Sequence, residues 1–359
     1  MSGMIDSYPT PCFVMERHKL EANLARLASL QNQTGIKILH TLKSFNSREG
    51  LEVIAKSLSG FSAGNQCELD GLNAIVYQHI HTYAPAFRST EIEALAQQSD
   101  TLSFNSLKQW ESYSSAASMY CSVGLRINPQ LTLKQPKYCN PNNTMRLGVP
   151  YQAFLREIIN SPDVFQHLEG LHFHVFCSQG LSGLKYLLAH IAQHYQEILP
   201  RLKWLNLGGG HQLTDEKYDH EGFIALINAF KSQYPRLTIL FEPGESVVKN
   251  TGCFITTILD IIPAEIPIVI LDTSIEAHLL DITITKQKPA VKGTTHHPTP
   301  HHYQLSGMSC IAGDTIGNYY FEKALEIGES IIFENMMGYT IVKQTEFNGI
   351  KKAGFRFTP

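Results

Sequence analysis

Apolar and polar positions alternate in two distinct textures along this chain. From about residue 20 to residue 245, short apolar runs alternate with stretches of helical period. HKLEANLARLASLQNQ places Leu20, Leu24, Leu27 and Leu30 on one side of a helix. KILHTL then reads as a strand, SREGLEVIAKSL as a helix, GFSAG as a strand and turn, and QCELDGLNAI as a helix. HTYAPA, TLSFNS, SVGLRINP, LEGLHFHVF, KWLNLGGG and LTILFEPG repeat the strand-then-loop theme. YLLAHIAQHYQEILPRL and GFIALINAFKSQY have helical spacing. Repeated strand–helix units imply parallel strands joined by right-handed crossovers. So many units in one stretch favour a (β/α)8 barrel over an open sheet.

Beyond residue 245 the texture changes. VVKNTGCFITTILDII, IPIVILDTS, LDITIT, SIIFENMMGYTIVKQTEF and FRFTP are rich in β-branched residues and poor in helical spacing. They predict a second, all-β domain. The expected organisation is a barrel over residues 20–245, with residues 1–19 and 246–359 forming the β domain. The boundary falls near Gly244 to Val248. VKGTTHHPTPHHYQ reads as an exposed loop.

Composition narrows the classes. The 359 residues are 43% hydrophobic and 17% charged, with a net charge of −3, which is ordinary for a globular chain. No charge excess points to nucleic acid or a membrane surface. No run of about 18 apolar residues is present, so no membrane span is expected. The start of the chain shows no basic segment followed by an apolar one, so no secretion signal is expected. Seven cysteines are scattered and never in CxxC spacing. They read as free thiols in a reducing compartment, and the expected location is cytoplasmic.

Several stretches carry candidate chemistry. In ILHTLKSFNS, Lys43 stands among apolar residues. A strand-end lysine can reach water, or it can bond covalently to a carbonyl cofactor. NLGGGHQLT sets Gly208, Gly209 and Gly210 directly after a strand, where backbone N–H groups can converge on phosphate. A flexible turn explains the triplet equally well. FEPGES puts Glu242 at a strand end, pointing into a barrel's site or out to water. GLHFHVFC puts His172 and His174 on one face of a strand. As a metal site this pair would need a third ligand, and none is expected. GMSCIAGDTIGNY holds Cys310 and Asp314, and ENMMGYT holds Tyr339. Taken alone, Cys310 reads more readily as a small buried residue and Tyr339 as a core aromatic.

Taken in order, these stretches resemble the fold-type III pyridoxal-phosphate decarboxylases, the group with the alanine racemase fold that includes ornithine and diaminopimelate decarboxylases. The resemblance runs from SYPTPCFVMERHKLEANL through TLKSF, NPNNTMRLG, GLHFHVFC, NLGGGHQLT, EPGESVVKNTG, LDTSIEAHLLD and SCIAGD to YTIVKQTEFNG. The later segments resemble the polyamine branch of that group. The resemblance implies pyridoxal 5'-phosphate as cofactor and loss of CO2 from carboxynorspermidine or carboxyspermidine. It implies that Lys43 bonds to the cofactor, His174 stacks on its ring and Glu242 pairs with the ring nitrogen. Gly208, Gly209 and Gly210 would cradle the phosphate, with Tyr339 adding a hydroxyl. Cys310 would deliver a proton from the partner subunit of a homodimer with shared active sites. Asp272, Ser274, Glu276, Asp281 and Asp314 would meet a polyamine-like substrate. An acid at Glu242 favours decarboxylation over racemisation, because a protonated ring is the better electron sink.

Departures from the group concern the substrate. Ornithine-type enzymes carry an arginine after the Glu-Pro-Gly turn, and here Glu245 stands there, as it does in the polyamine branch. Ser178 stands where an acid is expected and Gly338 where a histidine is expected. Three other readings compete: a decarboxylase of another basic amino acid, a catalytically silent cofactor carrier, and a metal binder using His296, His297, His301 and His302. Diaminopimelate is disfavoured because no motif offers an arginine for a distal carboxylate.

Overall fold

The computed structural model describes residues 8–131, 146–175 and 180–359. Its contacts divide the chain into two units, Ala22–Val247 and the described part of Met1–Glu21 together with Val248–Pro359. The chain opens on β1 (Cys12–Glu16) and a helix, Arg17–Thr34. Leu20, Leu24, Leu27 and Leu30 are buried along that helix. It ends at Gly35, whose φ of +62° is the left-handed stop that glycine takes without a Cβ penalty.

The strands that follow are β2 (Lys37–Thr41), β3 (Gly60–Ala63), β4 (His79–Tyr83), β5 (Thr101–Phe104), β6 (Ser122–Asn128), β7 (Val149–Pro150), β8 (Gly170–Phe173), β9 (Trp204–Asn206) and β10 (Thr238–Phe241). All pair in parallel, and β10 pairs with both β9 and β2. Strands β2 to β6 and β8 to β10 therefore close an eight-stranded (β/α)8 barrel, with β7 attached to the edge of β6. Three of the helices between strands start on side-chain caps. Asn65, Ser106 and Asp219 accept hydrogen bonds from Glu68 N, Gln109 N and Gly222 N. The interior is filled rather than hollow. A Cβ at Gly170 would lie 2.0 Å from the Trp204 ring, and one at Gly124 would lie 2.5 Å from it. These two glycines, on β8 beside β9 and on β6 beside β8, make room for the β9 indole.

The second unit is an eight-stranded sheet. It joins β1 to β11 (Gly252–Ile262), β12 (Ile268–Leu271), β13 (Thr294–Thr295), β14 (His302–Ser306), β15 (Thr315–Phe321), β16 (Ser330–Glu334) and β17 (Gly354–Thr358). Strand β1 pairs antiparallel with β11 and parallel with β17, so the two ends of the chain meet in this sheet.

Three sequence expectations fail here. LDITIT alternates like a strand but forms the helix Leu280–Thr285, none of whose residues is buried. Ser274 caps the preceding short helix by accepting from Glu276 N, so this stretch enters in helical conformation and local alternation is overridden. YTIVKQTEF contains no strand. Tyr339 takes a φ of +51°, and its carbonyl accepts from Val342 N and Lys343 N, so the chain turns. The histidine loop is also shorter than expected, because His302 opens β14 and stacks on Tyr320 at 4.2 Å.

Candidate active site

Lys43 sits on the turn after β2. Thr41 N donates to Pro243 O at 3.3 Å, Leu42 N to Ser62 O at 3.1 Å, and Ser44 Oγ to Thr41 O at 2.7 Å. Leu42 and Phe45 are buried and anchor the turn on either side, while the Lys43 side chain remains accessible. The lysine is nonetheless surrounded by protein, so it stands in a recess rather than on an open face. Desolvation there pulls its amine below the ordinary lysine range. Glu242 and Glu68 oppose that shift and Arg126 adds to it.

Glu242 follows the last residue of β10 and is buried. Asn206 Nδ2 donates to its Oε1 at 2.8 Å, His81 Nε2 lies 3.8 Å from Oε1, and His172 Nε2 lies 3.7 Å from Oε2. Glu242 N donates to Gly208 O at 2.7 Å, and Thr41 Oγ1 donates to Glu242 O at 3.0 Å. The acid is therefore tied to the strand that leads to Lys43 and to the glycine turn.

The glycine turn is shaped by its neighbours. Gly208 and Gly210 take φ of +66° and +83°. A Cβ at Gly209 would lie 2.3 Å from Glu242 O, and one at Gly208 would lie 2.6 Å from Phe173 O. Gly208 N donates to Asn206 Oδ1 at 2.8 Å and Gly209 N to His174 Nδ1 at 3.3 Å. Two of the three amides expected to meet phosphate thus already have internal acceptors. The His174 ring is half-buried and lies well below the ordinary histidine pKa, first through burial and then through Lys43, Arg126 and His211. It is a neutral imidazole that accepts at Nδ1.

His172 and His174 do face one way, and the structure supplies the third donor that sequence reasoning did not expect. One donor atom from each of His172, His174 and Glu242 lies within 4.8 Å of the others, the one such gathering among the described residues. His296, His297, His301 and His302 form none. Sequence reading also missed Asn206, Arg126, Tyr83 and His81. Arg126 is buried, donates to His174 O at 3.2 Å, and lies 4.5 Å over the Tyr83 ring. The signal for all four is their place at alternate positions of barrel strands.

Residues expected from the β unit lie in it as follows. Both carboxylate oxygens of Asp272 are engaged, by Thr10 Oγ1 at 2.5 Å and Thr257 N at 2.8 Å. Asp314 is buried and accepts from Ile275 N at 2.8 Å, Ser309 N at 3.1 Å and Ser309 Oγ at 2.5 Å. Asp281 pairs with Lys343, whose Nζ lies 5.0 Å from the Tyr339 ring centroid. Ser274 is the helix cap already described. Glu276 is half-buried, and its carboxylate has no partner among the described residues. Cys310 is an exposed free thiol whose backbone N donates to Asn348 Oδ1 at 2.8 Å. Gly338 lies in the turn beside Tyr339. Ser178 falls outside the described residues.

Comparison with known proteins finds relatives along the length of the chain. Residues 18–249 match the model of the pyridoxal-dependent decarboxylase family, pyridoxal binding domain. A carboxynorspermidine/carboxyspermidine decarboxylase of Campylobacter jejuni is 35% identical, over 95% of this chain and 91% of that protein. A carboxyaminopropylagmatine decarboxylase of Synechocystis is 34% identical, over 96% of this chain and 89% of that protein. The crystal structure of carboxynorspermidine decarboxylase from Campylobacter jejuni complexed with norspermidine superposes with a TM-score of 0.89 at 32% identity, covering 98% of this chain and 94% of that one. A barrel mouth with an accessible lysine and a buried acid, and a likeness that runs the length of the chain, lead to one assignment: this chain belongs to the pyridoxal-dependent decarboxylases.

Proposed function

We propose that this decarboxylase removes CO2 from a carboxylated polyamine of the carboxynorspermidine or carboxyspermidine class. The observation that carries the reading is the presence of Lys43 and Glu242 in one unit, close enough for the acid to act electrostatically on the amine. A lysine with a lowered pKa stands in a recess, beside a buried carboxylate held by an amide donor.

The residues fit the family's cofactor. Lys43 has the depressed basicity that makes an amine nucleophilic toward an aldehyde. Gly208, Gly209 and Gly210 form a turn packed so closely that a Cβ at Gly208 or Gly209 would collide with Phe173 O or Glu242 O, and we assign the phosphate to the N–H of Gly210. Once bound, pyridoxal phosphate supplies the sink for the electron pair left by departing CO2. Glu242 would hold a proton at the ring nitrogen, and the Asn206 amide fixes the carboxylate in place by donating to its Oε1. His174, neutral and flat, is the ring's partner. Cys310 donates the proton that replaces CO2, and we assign it to the partner subunit of a homodimer. The five described cysteines are free thiols, which fits a reducing cytoplasm.

Acids meet the distal amines of the substrate. Glu276 is the foremost of these, because its carboxylate is uncommitted. Asp272, Asp281 and Asp314, with Ser274, shape its surroundings. The relative from Synechocystis at nearly equal identity favours a second substrate, carboxyaminopropylagmatine. The test is CO2 release by purified protein supplied in parallel with carboxynorspermidine, carboxyspermidine, carboxyaminopropylagmatine, lysine and ornithine, with Lys43→Ala as the blank. A preference for the carboxylated polyamines over lysine and ornithine is expected. Preference for a short amino acid would overturn the assignment, and preference for the agmatine compound would select the second reading.

A further inference from the structure

A line of hydrogen-bonding side chains crosses the barrel interior from the start of its strands to Glu242. Lys37, the first residue of β2, places Nζ 3.2 Å from His79 Nδ1. His79 Nε2 lies 3.0 Å from Thr101 Oγ1, and the same hydroxyl lies 2.8 Å from His81 Nδ1. His81 Nε2 lies 3.1 Å from Ser103 Oγ and 3.8 Å from Glu242 Oε1. His79, Thr101, His81 and Ser103 are all buried, while Lys37 at the far end is half-buried.

The chemistry of the groups gives this line a direction. An ammonium group donates and never accepts, so His79 Nδ1 must be the acceptor. Burial, then Lys37 and His81, hold the His79 pKa down to about 3, so its ring is neutral and carries its proton on Nε2. That N–H donates to Thr101 Oγ1. The threonine hydroxyl has one proton and no other partner among the described residues, so it donates to His81 Nδ1. His81 is then left with its proton on Nε2, directed at Ser103 Oγ and, beyond hydrogen-bond range, at Glu242. With the opposite tautomer, a lone pair would face the carboxylate.

We propose that Lys37 is a remote positioning residue for Glu242: through His79 and Thr101 it fixes the tautomer of His81, so that an N–H dipole faces the acid. The acid then faces a second donor-bearing group besides Asn206. The role assigned to Glu242 rests on the proposed function, but the tautomer does not.

The test uses the full-length holoenzyme with histidine labelled at both ring nitrogens with 15N. The His81 signals are assigned by their loss in His81→Gln. In the wild type, His81 is expected to show a protonated Nε2 and a bare Nδ1. Lys37→Met removes the donor and Thr101→Val breaks the line at its middle, and either should abolish the single fixed tautomer. Lys37→Arg restores a donor and should restore it. The effect on kcat should be a roughly three- to tenfold loss in Lys37→Met with KM little changed, since a dipole facing the acid is lost while the substrate's own contacts remain. Lys37→Arg should recover it. A His81 spectrum unchanged in both Lys37→Met and Thr101→Val would overturn the proposal. So would a wild-type His81 protonated on Nδ1. Because the nitrogen spectrum involves no substrate, an enzyme that failed on carboxylated polyamines would leave this result standing.

Discussion

Replacing Asn206 by Asp probes the acid of the site with almost no change of shape. The wild-type amide donates to Glu242 Oε1 at 2.8 Å and accepts from Gly208 N at 2.8 Å. N206D keeps the acceptor for Gly208 but sets a second carboxylate oxygen against Glu242. Loss of a hydrogen bond to a charged group is worth about 1.5–3 kcal/mol. Two unit charges at the observed 2.8 Å repel by about 6 kcal/mol at an effective dielectric of about 20. Two such carboxylates do not both stay ionised at neutral pH, so the pair takes up one shared proton. Glu242 then no longer offers a full charge to the ring nitrogen. The expected loss in kcat is about 100-fold, equivalent to about 3 kcal/mol of transition-state stabilisation. Two assays read it: single-turnover CO2 release, and the pH dependence of the cofactor's visible absorption, whose acidic limb should move upward by more than about one unit. Thermal unfolding close to the wild type would show that the barrel survives, because Gly208 keeps its partner. A variant within threefold of the wild-type rate, with an unmoved absorption profile, would refute the claim that Asn206 holds Glu242 for the ring nitrogen.

Three further outcomes follow from other parts of the molecule. Gly170→Ala would drive a Cβ to 2.0 Å from the Trp204 ring and should cost about 3 kcal/mol of stability or more in urea unfolding; a cost below about 1 kcal/mol would show that the indole does not need this space. His40 is fully buried, with Nε2 on Phe45 O at 2.9 Å, and burial holds its pKa down to about 4. Its folded pKa lies below its unfolded value, so stability should fall as pH drops from about 6.5 toward 4, by up to about 1.4 kcal/mol per pH unit from this residue. Proton uptake on unfolding at pH near 5 should decrease by close to one in His40→Gln, and an unchanged uptake would remove His40 from the acid response. Mixing Lys43→Ala with Cys310→Ala subunits should restore up to about a quarter of wild-type activity if sites are shared across a dimer, because about half the dimers are hybrids with one intact site. Mass-tagged hybrids that form without recovery would place Cys310 within its own chain or outside the chemistry.

The barrel was legible because strand and helix periods alternate so regularly between residues 20 and 245, and the lysine and acid were legible because each ends a strand. Local alternation misled where a cap or turn determined the path instead. LDITIT has the spacing of a strand, yet it continues from a capped helical turn. YTIVKQTEF has the propensity of a strand, yet Tyr339 turns the chain with a left-handed φ. The resemblance implies that Asp272 and Asp314 meet the substrate, but their oxygens are largely taken by backbone N–H and hydroxyl groups of their own unit. Composition carries no information about such internal commitments.

What stayed hidden at the centre of the site has a more general cause. In a sheet with one face in water, the polar half of the alternation points outward. A barrel wrapped by helices reverses that sense toward its mouth, since the outer face must pack against apolar helices and the inner face carries the chemistry. In HIHTY, His79, His81 and Tyr83 are the alternate positions, and in GLRIN the alternate residues are Gly124 and Arg126. In WLN they are Trp204 and Asn206, and in GLHF they are Gly170 and His172. The apolar partners in these runs, Ile80, Leu125, Leu205 and Leu171, are fully buried. The interleaved residues meet one another: Trp204 against Gly124 and Gly170, Arg126 over Tyr83, and Asn206 on Glu242. In a closed parallel barrel the polar set of each strand's two interleaved sets belongs to the interior, so the sequence alone carries Arg126, Asn206 and His81 to the site. The same reading places Lys37 in line with Leu39 and Thr41, on the face from which its hydrogen-bonded line to Glu242 begins.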